Sequence, residues 1–281
     1  MVEKRITEAQ IGAYERYLRR EERAGATVEK YLRAVRGFAR WLAGEPVTKE
    51  NAAAWKASLV AQGLAPATVN GTLAALNGFF RFRGWGDQRG KFLKLQRRTF
   101  RDRGRELDRS AYARLVRAAE AQGRRRLALV METICGTGIR VSEVRYITVE
   151  AAKAGRAEIS LKGKIRTILI PGKLCRKLLK YAQQQKIASG EIFLTGSGKS
   201  LSRTQIWAEM KGLCRAARVE PSKVFPHNLR HLFATAFYRA CKDIVKLADV
   251  LGHSSIETTR LYLLTTGAEH QRQLDRLGLV S

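Results

Sequence analysis

The sequence predicts a mainly α-helical protein of two domains: an N-terminal four-helix domain and an α-rich C-terminal domain carrying a small antiparallel β-sheet. Three observations predict this. The first hundred residues place apolar side chains at helical spacing only, a dense basic stretch then interrupts the periodicity, and beyond Leu107 two short β-prone runs flank a Lys-Gly-Lys turn among further helical segments. With 281 residues, 45% of them apolar, the chain can bury a core in each domain.

The opening helix is expected from about Thr7 to Arg23. In "TVEKYLRAVRGFARWLA" Thr27 reads as an N-cap, with Tyr31, Val35, Phe38 and Leu42 on one face and Lys30, Arg33, Arg36 and Arg40 on the other. A third helix begins near Thr48. A fourth opens at Pro66, where proline suits the first helical position, and Val69, Leu73, Leu76, Phe79 and Phe80 mark its buried stripe. These four form a domain over 1–88. The stretch "RGKFLKLQRRTFRDRGR" within 89–106 has too little apolar periodicity for a core helix and reads as a basic linker that contacts phosphate backbone. The second domain, 107–281, is expected to contain helices near 108–122 and 124–136, a hairpin in "AEISLKGKIRTILIP", a helix near 172–185, a β-prone "EIFLT", and helices from there to the end.

Charge narrows the function. Lys and Arg number 53 against 25 acidic residues, a formal charge of +28, well beyond what solubility requires. Such an excess points to a polyanion, and double-stranded nucleic acid leads because each neutralised phosphate releases condensed counterions. No apolar run approaches the roughly 18 residues of a membrane span, and "MVEKRITEAQ" lacks a signal-peptide core, so a cytoplasmic, nucleoid-associated protein without a membrane partner is expected. Cys135, Cys175, Cys214 and Cys241 include no Cys-x-x-Cys pair and read as buried reduced thiols rather than bridges or a zinc site.

All four histidines lie beyond Pro226. In "FPHNLRHLFAT" a helix start puts His227 and Arg230 on one face, with His231 able to share that side. An imidazole and a guanidinium together can hold an anion and move a proton near neutral pH. In "KDIVKLADVLGHSSIETTRLYLL" a buried helix ends at Gly252, Ser254 with Glu257 reads as a capping box, His253 stands at the corner, and Tyr262 lies about two turns further on. "ICGTGIRVSEVRYI" delivers Arg140 at the start of a helix, where backbone N–H groups also favour anions. Lys162 or Lys164 stands at the hairpin tip. Singly, each of these has an ordinary structural reading: a surface pair, a cap, a core aromatic, a solvated lysine.

Together the pieces resemble the tyrosine recombinase, or lambda-integrase, family, in its Xer-like or small mobile-element branch. "GTGIRVSE" resembles the family's first arginine box, matching Arg140 with Glu143 as a supporting acid. "HNLRHLFAT" is similar to the His-x-x-Arg box and matches His227 and Arg230. "LGHSSIETTRLYL" looks like the closing box, matching His253 and the nucleophile Tyr262, and the Lys-Gly at the start of "LKGKIRTILIP" selects Lys162 as the hairpin lysine. The helical N-terminal half resembles the family's core-binding, SAM-like domain, so the likeness covers nearly the whole chain.

The resemblance implies the tyrosine recombinase catalytic fold and a site-specific recombinase that cuts and rejoins duplex DNA through a 3′-phosphotyrosine. It implies Arg140 and Arg230 as a phosphate clamp, His227 and Lys162 as proton carriers, His253 as a phosphate hydrogen-bonding group, and no cofactor, metal or ATP. It further implies a homotetramer on two paired DNA sites, with the C-terminal segment docking on a neighbouring protomer or on its own domain. His231 and His270 are given structural roles. The rival readings are a catalytically silent DNA-binding accessory protein on the same scaffold, a topoisomerase of related chemistry, and a metal-dependent nuclease.

Overall fold

The computed structural model describes residues 3–95, 103–161, 164–263, 271–272 and 275–277. Two compact units divide the chain, Met1–Arg97 and Arg98–Ser281. The fold is mainly helical, with a single two-stranded antiparallel sheet among the described residues.

The first unit is built from α1 (Glu8–Arg20), α2 (Gly25–Leu42), α3 (Lys49–Ala61) and α4 (Pro66–Phe82). Thr7 caps α1 in a reciprocal capping box with Gln10, Thr48 caps α3 through Asn51 N, and Pro66 occupies the first turn of α4. The expected cap at Thr27 is corrected: α2 starts three residues earlier with Ala24 at its N-cap, so Thr27 sits inside the first turn. The expected apolar stripes close into one core in which Phe38, Trp55, Phe79, Phe80 and Trp85 pack through ring contacts 5.1–6.4 Å apart. Asn77 exchanges two hydrogen bonds with the backbone of Gly90, and Asn70 does the same with Leu93. The start of the basic stretch is thereby fastened along α4, and residues 96–102 lie outside those described.

The second unit contains α5 (Arg109–Ala121), α6 (Arg125–Thr137), a 3-10 turn over Val141–Tyr146, and α7 (Val149–Ala154). The hairpin of β1 (Arg156–Leu161) and β2 (Lys164–Leu169) follows, in register Arg156 opposite Leu169 through Leu161 opposite Lys164. Then come α8 (Gly172–Gln184), α9 (Arg203–Lys211), α10 (Cys214–Ala217), α11 (Pro226–Cys241), α12 (Ile244–Leu251) and α13 (Ile256–Arg260). The β-prone "EIFLT" forms no strand; it makes isolated bridges, Thr148 with Glu191 and Leu194 with Ser200. Its Ile192 and Phe193 are instead fully buried, which explains the apolar run without a ladder.

A large apolar core gathers α5, α6, α7, the inner face of the hairpin and α8–α10. A second, small cluster of Ala234, Leu247, Leu251 and Tyr262 lies beneath α11–α13. The thiols are free, but the expectation of burial holds only at Cys214: Cys135 and Cys175 are half-buried and Cys241, near the end of α11, is exposed. No described helix is long and apolar enough to cross a membrane.

Candidate active site

Three short segments meet at one end of the second unit, and each is shaped by a local sequence cue. At the first, α6 ends at Gly138 in a left-handed turn with φ of 68°. A Cβ there would overlap the Phe233 ring, so glycine is required twice over. Arg140 follows as the N-cap of the 3-10 turn and forms a reciprocal box with Glu143: its backbone N–H donates to Glu143 Oε2 at 2.7 Å and its Nη1 donates to Oε1 at 2.9 Å. The Arg140 side chain stays 43% exposed, while that of Glu143 is only 2% exposed.

At the second, Pro226 opens α11 and aligns His227, Arg230 and His231 along one side. Arg230 is 2% exposed, and its guanidinium donates to the carbonyl oxygens of Gly138 and Leu251, the latter at 2.8 Å. The same Nη2 lies 2.9 Å from His253 Nε2. Guanidinium nitrogens only donate, so Nε2 accepts and the His253 proton sits on Nδ1, directed at Thr259 Oγ1 2.9 Å away.

At the third, α12 ends at Gly252 with φ of 63°, turning the chain so that His253 faces Arg230. The expected Ser254–Glu257 capping box is corrected: α13 begins one residue later with Ser255 at its N-cap and no side-chain cap bond. Tyr262 lies just past α13 and is 6% exposed, its backbone N–H held by Thr259 O at 3.0 Å. Its hydroxyl stands close enough to the Arg230 guanidinium to favour that group's charged form. Three imidazoles surround its ring, with centroids at 5.7 Å for His227, 5.2 Å for His231 and 5.7 Å for His253, the last nearly parallel at 13°.

Electrostatics follow from this convergence of cations. Burial and the neighbouring Arg230 and Arg140 push His227 below the usual histidine range. Burial and then Arg230, Arg140, Arg166 and His227 hold His253 down to about 4. Both rings are therefore neutral at pH 7 and able to accept hydrogen bonds or protons. Glu143 runs the other way: burial alone pushes its carboxyl up, but the Arg140 N–H bond with the Arg166 and Arg140 charges outweighs it and holds the group below its ordinary value.

The structure thus brings together Arg140, His227, Arg230, His253 and Tyr262. Lys162 lies outside the described residues. Two neighbours escaped the sequence reading. His231, given a structural role, packs against the Tyr262 ring at a 48° tilt. Arg166 on β2 joins Glu143 Oε2 at 2.5 Å, and only its position on the inward-facing alternation with Ile168 signalled burial.

The pattern described as the phage integrase family matches residues 105–268, and that of the phage integrase N-terminal SAM-like domain matches residues 11–85. The chain belongs to the phage integrase family of tyrosine recombinases. The tyrosine recombinase XerA of Thermococcus kodakarensis is 29% identical to it over 270 residues, covering 94% of this chain and 93% of the relative. The tyrosine recombinase XerD of Brucella suis is 30% identical over 266 residues, covering 84% and 85%. Among solved structures, XerH bound to its difH substrate in a pre-cleavage complex superposes with a TM-score of 0.70 at 18% identity, over 98% of this chain and 85% of that one. A lambda integrase tetramer bound to a Holliday junction gives 0.72 at 19% identity, over 90% and 76%. These likenesses fix the tyrosine recombinase catalytic fold and the SAM-like N-terminal domain.

Proposed function

We propose that this recombinase cleaves and rejoins duplex DNA through a 3′-phosphotyrosine on Tyr262, exchanging strands between two recombination sites. The Tyr262 oxygen attacks the scissile phosphorus, the new P–O bond forms, and the bond to the 5′ oxygen breaks. His227, neutral at pH 7, takes the tyrosine proton, and Lys162 gives a proton to the departing oxygen. The phosphodiester is kept rather than hydrolysed, so the free 5′ hydroxyl of a partner strand can attack in return and no nucleotide triphosphate is consumed. Arg140 and Arg230 hold the two non-bridging oxygens, where charge accumulates in the transition state, and His253 hydrogen-bonds one of them once its Nε2 gives up the Arg230 bond and takes a proton as the phosphate arrives.

The observation that carries this reading is the buried Tyr262 ring set among His227, His231 and His253, with the buried Arg230 guanidinium bound to His253 and half-exposed Arg140 alongside. Arg230 is rigid because its guanidinium is spent on two carbonyls and a histidine. Arg140 reaches solvent, where a DNA phosphate would arrive. The catalytic domain is taken as 107–281, with the helical domain 1–88 and the basic stretch 89–106 gripping the same duplex. Four protomers act on two sites, a reading supported by a lambda integrase solved as a tetramer on a Holliday junction. The C-terminal segment, whose docking the sequence left open between a neighbouring protomer and its own domain, falls largely outside the described residues. The enzyme works in the cytoplasm on the nucleoid.

A duplex nicked close to the scissile phosphate tests this, because the short 5′ fragment diffuses away after cleavage. The wild-type protein is expected to become covalently attached in EDTA, and Tyr262→Phe to bind the duplex without attachment. A covalent yield that Tyr262→Phe leaves unchanged would remove the nucleophile, and cleavage that requires divalent cation and leaves no covalent adduct would point to the nuclease reading.

A further inference from the structure

The chemistry above makes no use of Arg166, yet its guanidinium is held from several sides. Its side chain is 16% exposed. Nη2 donates to Glu143 Oε2 at 2.5 Å, Nη1 donates to the Val250 carbonyl at 3.4 Å, and Nε is buried without a partner. Gly252 packs against it so closely that a Cβ would stand 2.5 Å from Arg166 Cδ and 2.6 Å from Nη1. A buried cation with an unpaired N–H costs stability that an apolar side chain of similar volume would not.

Charge counting says what the cation supplies. Glu143 carries one negative charge and receives two arginines: Arg140 on Oε1 and on Oε2 through its backbone, Arg166 on Oε2. With Arg166 present the trio carries one net positive charge, which Arg140 can present to a phosphate. Without it Arg140 and Glu143 form a neutral pair beside the site, and the carboxylate competes with the phosphate for the same guanidinium. Arg166 also ties the turn that carries His253, since it bonds Val250 O while Arg140 Nη2 lies 3.5 Å from Gly252 O.

We propose that Arg166 is a positioning residue for strand cleavage: it engages the Glu143 carboxylate so that Arg140 keeps its charge for the scissile phosphate, and it holds the Val250–Gly252 turn in place behind His253. This rests on the clamp described under the proposed function. It assigns Arg166 no contact with DNA. It also gives Gly252 a second duty beyond its left-handed turn, because any side chain there would displace the arginine from Glu143.

Single-turnover covalent cleavage separates this from a purely structural role. Two duplexes are compared, one with the natural scissile phosphate and one with a methylphosphonate there, both diastereomers included, in which a charged non-bridging oxygen is replaced by methyl. Arg166→Met is expected to lose ~10²-fold in cleavage rate on the phosphate, the scale of a misplaced catalytic group, and to recover most of that loss on the methylphosphonate. Arg166→Lys, which keeps the charge, should stay much nearer the wild type on both. Thermal melting and duplex binding are measured for each variant; should Arg166→Met not fold, Arg166→Gln carries the same comparison with a donor toward Glu143 but no charge. Equal losses on the two substrates, or an Arg166→Lys as impaired as the neutral variant, would overturn the proposal. Arg140→Ala is the control: if it recovers on the methylphosphonate and Arg166→Met does not, the inference fails alone, and if Arg140→Ala does not recover either, the clamp fails and takes the inference with it.

Discussion

The two apolar clusters of the second unit are built on different principles. The large one joins α5–α10 and the inner hairpin face through more than thirty buried side chains and supports the segment that presents Arg140 and Glu143. The small one has four buried members, Ala234, Leu247, Leu251 and Tyr262, and is flanked by exposed Val245, Ile256 and Leu261. Polar bonds help fasten the layer of the nucleophile to the rest: Arg230 reaches the carbonyls of Gly138 and Leu251, and Arg166 reaches that of Val250. The clamp is therefore seated in close-packed core, with α11 packed along α6, whereas Tyr262 rides on a thin layer over α12–α13 that is also tied down by hydrogen bonds from Arg230 and Arg166. Such a layer can shift or open locally without unfolding the core beneath it.

The largest effect that would sharpen this contrast is expected from the two arginines. Arg140→Ala and Arg230→Ala should each lower covalent cleavage by ~10²–10³, the range for removing one transition-state donor, while duplex binding, spread over many other cations, changes little. They should differ in stability. Losing Arg230 leaves two buried carbonyls unpaired and should lower the melting temperature, whereas half-exposed Arg140 should not. Equal melting losses would erase the distinction between anchor and presented group.

Next come the cores themselves. Leu115→Ala in the large cluster should cost about 2–5 kcal/mol of global stability. Leu247→Ala in the small one should instead speed amide hydrogen exchange across 244–263 and leave the α6 amides protected. Uniformly faster exchange through both regions would contradict a separable layer.

Acid should act on the thin layer first. His253 has its folded-state value held to about 4 from an ordinary 6.5, so the native state favours the neutral ring. Its contribution to stability is complete above the unfolded value and is lost as pH falls from about 6.5 toward about 4, because the unfolded chain binds the proton first. Melting of the wild type should fall more steeply across that window than melting of His253→Gln; parallel profiles would refute the neutral assignment. The smallest change is expected from Thr259→Val, which removes the acceptor of the His253 Nδ1–H and should cost about 1 kcal/mol. No measurable change would mean that this proton is otherwise satisfied.

How much of this was legible in the sequence depended on how local the determinant is. Helices α1–α6 follow apolar spacing and caps that act within one or two turns, which is why Thr7, Thr48 and Pro66 were read correctly and only Thr27 misplaced a start. "EIFLT" misled because complete burial and a central strand leave the same apolar run. Arg140, His227, Arg230, His253 and Tyr262 were readable as residues of motif segments, yet their convergence rests on contacts such as Arg230 with Gly138 across 92 positions. Arg166 was passed over because its partner is Glu143, 23 residues away on another element, and the alternation with Ile168 indicates only which way it faces. His231 was passed over because a helix face identifies which residues are neighbours but not that an aromatic ring from a later segment will lie across them.

The most direct measurement is to locate the attached atom. Wild-type protein trapped on the nicked duplex in EDTA is digested with trypsin and nuclease, and the modified peptide is sequenced by mass spectrometry. The account predicts one phosphodiester-linked nucleotide, joined through its 3′ end to Tyr262. A linkage at any other residue, a linkage through the 5′ end, or cleavage that leaves no adduct would contradict it.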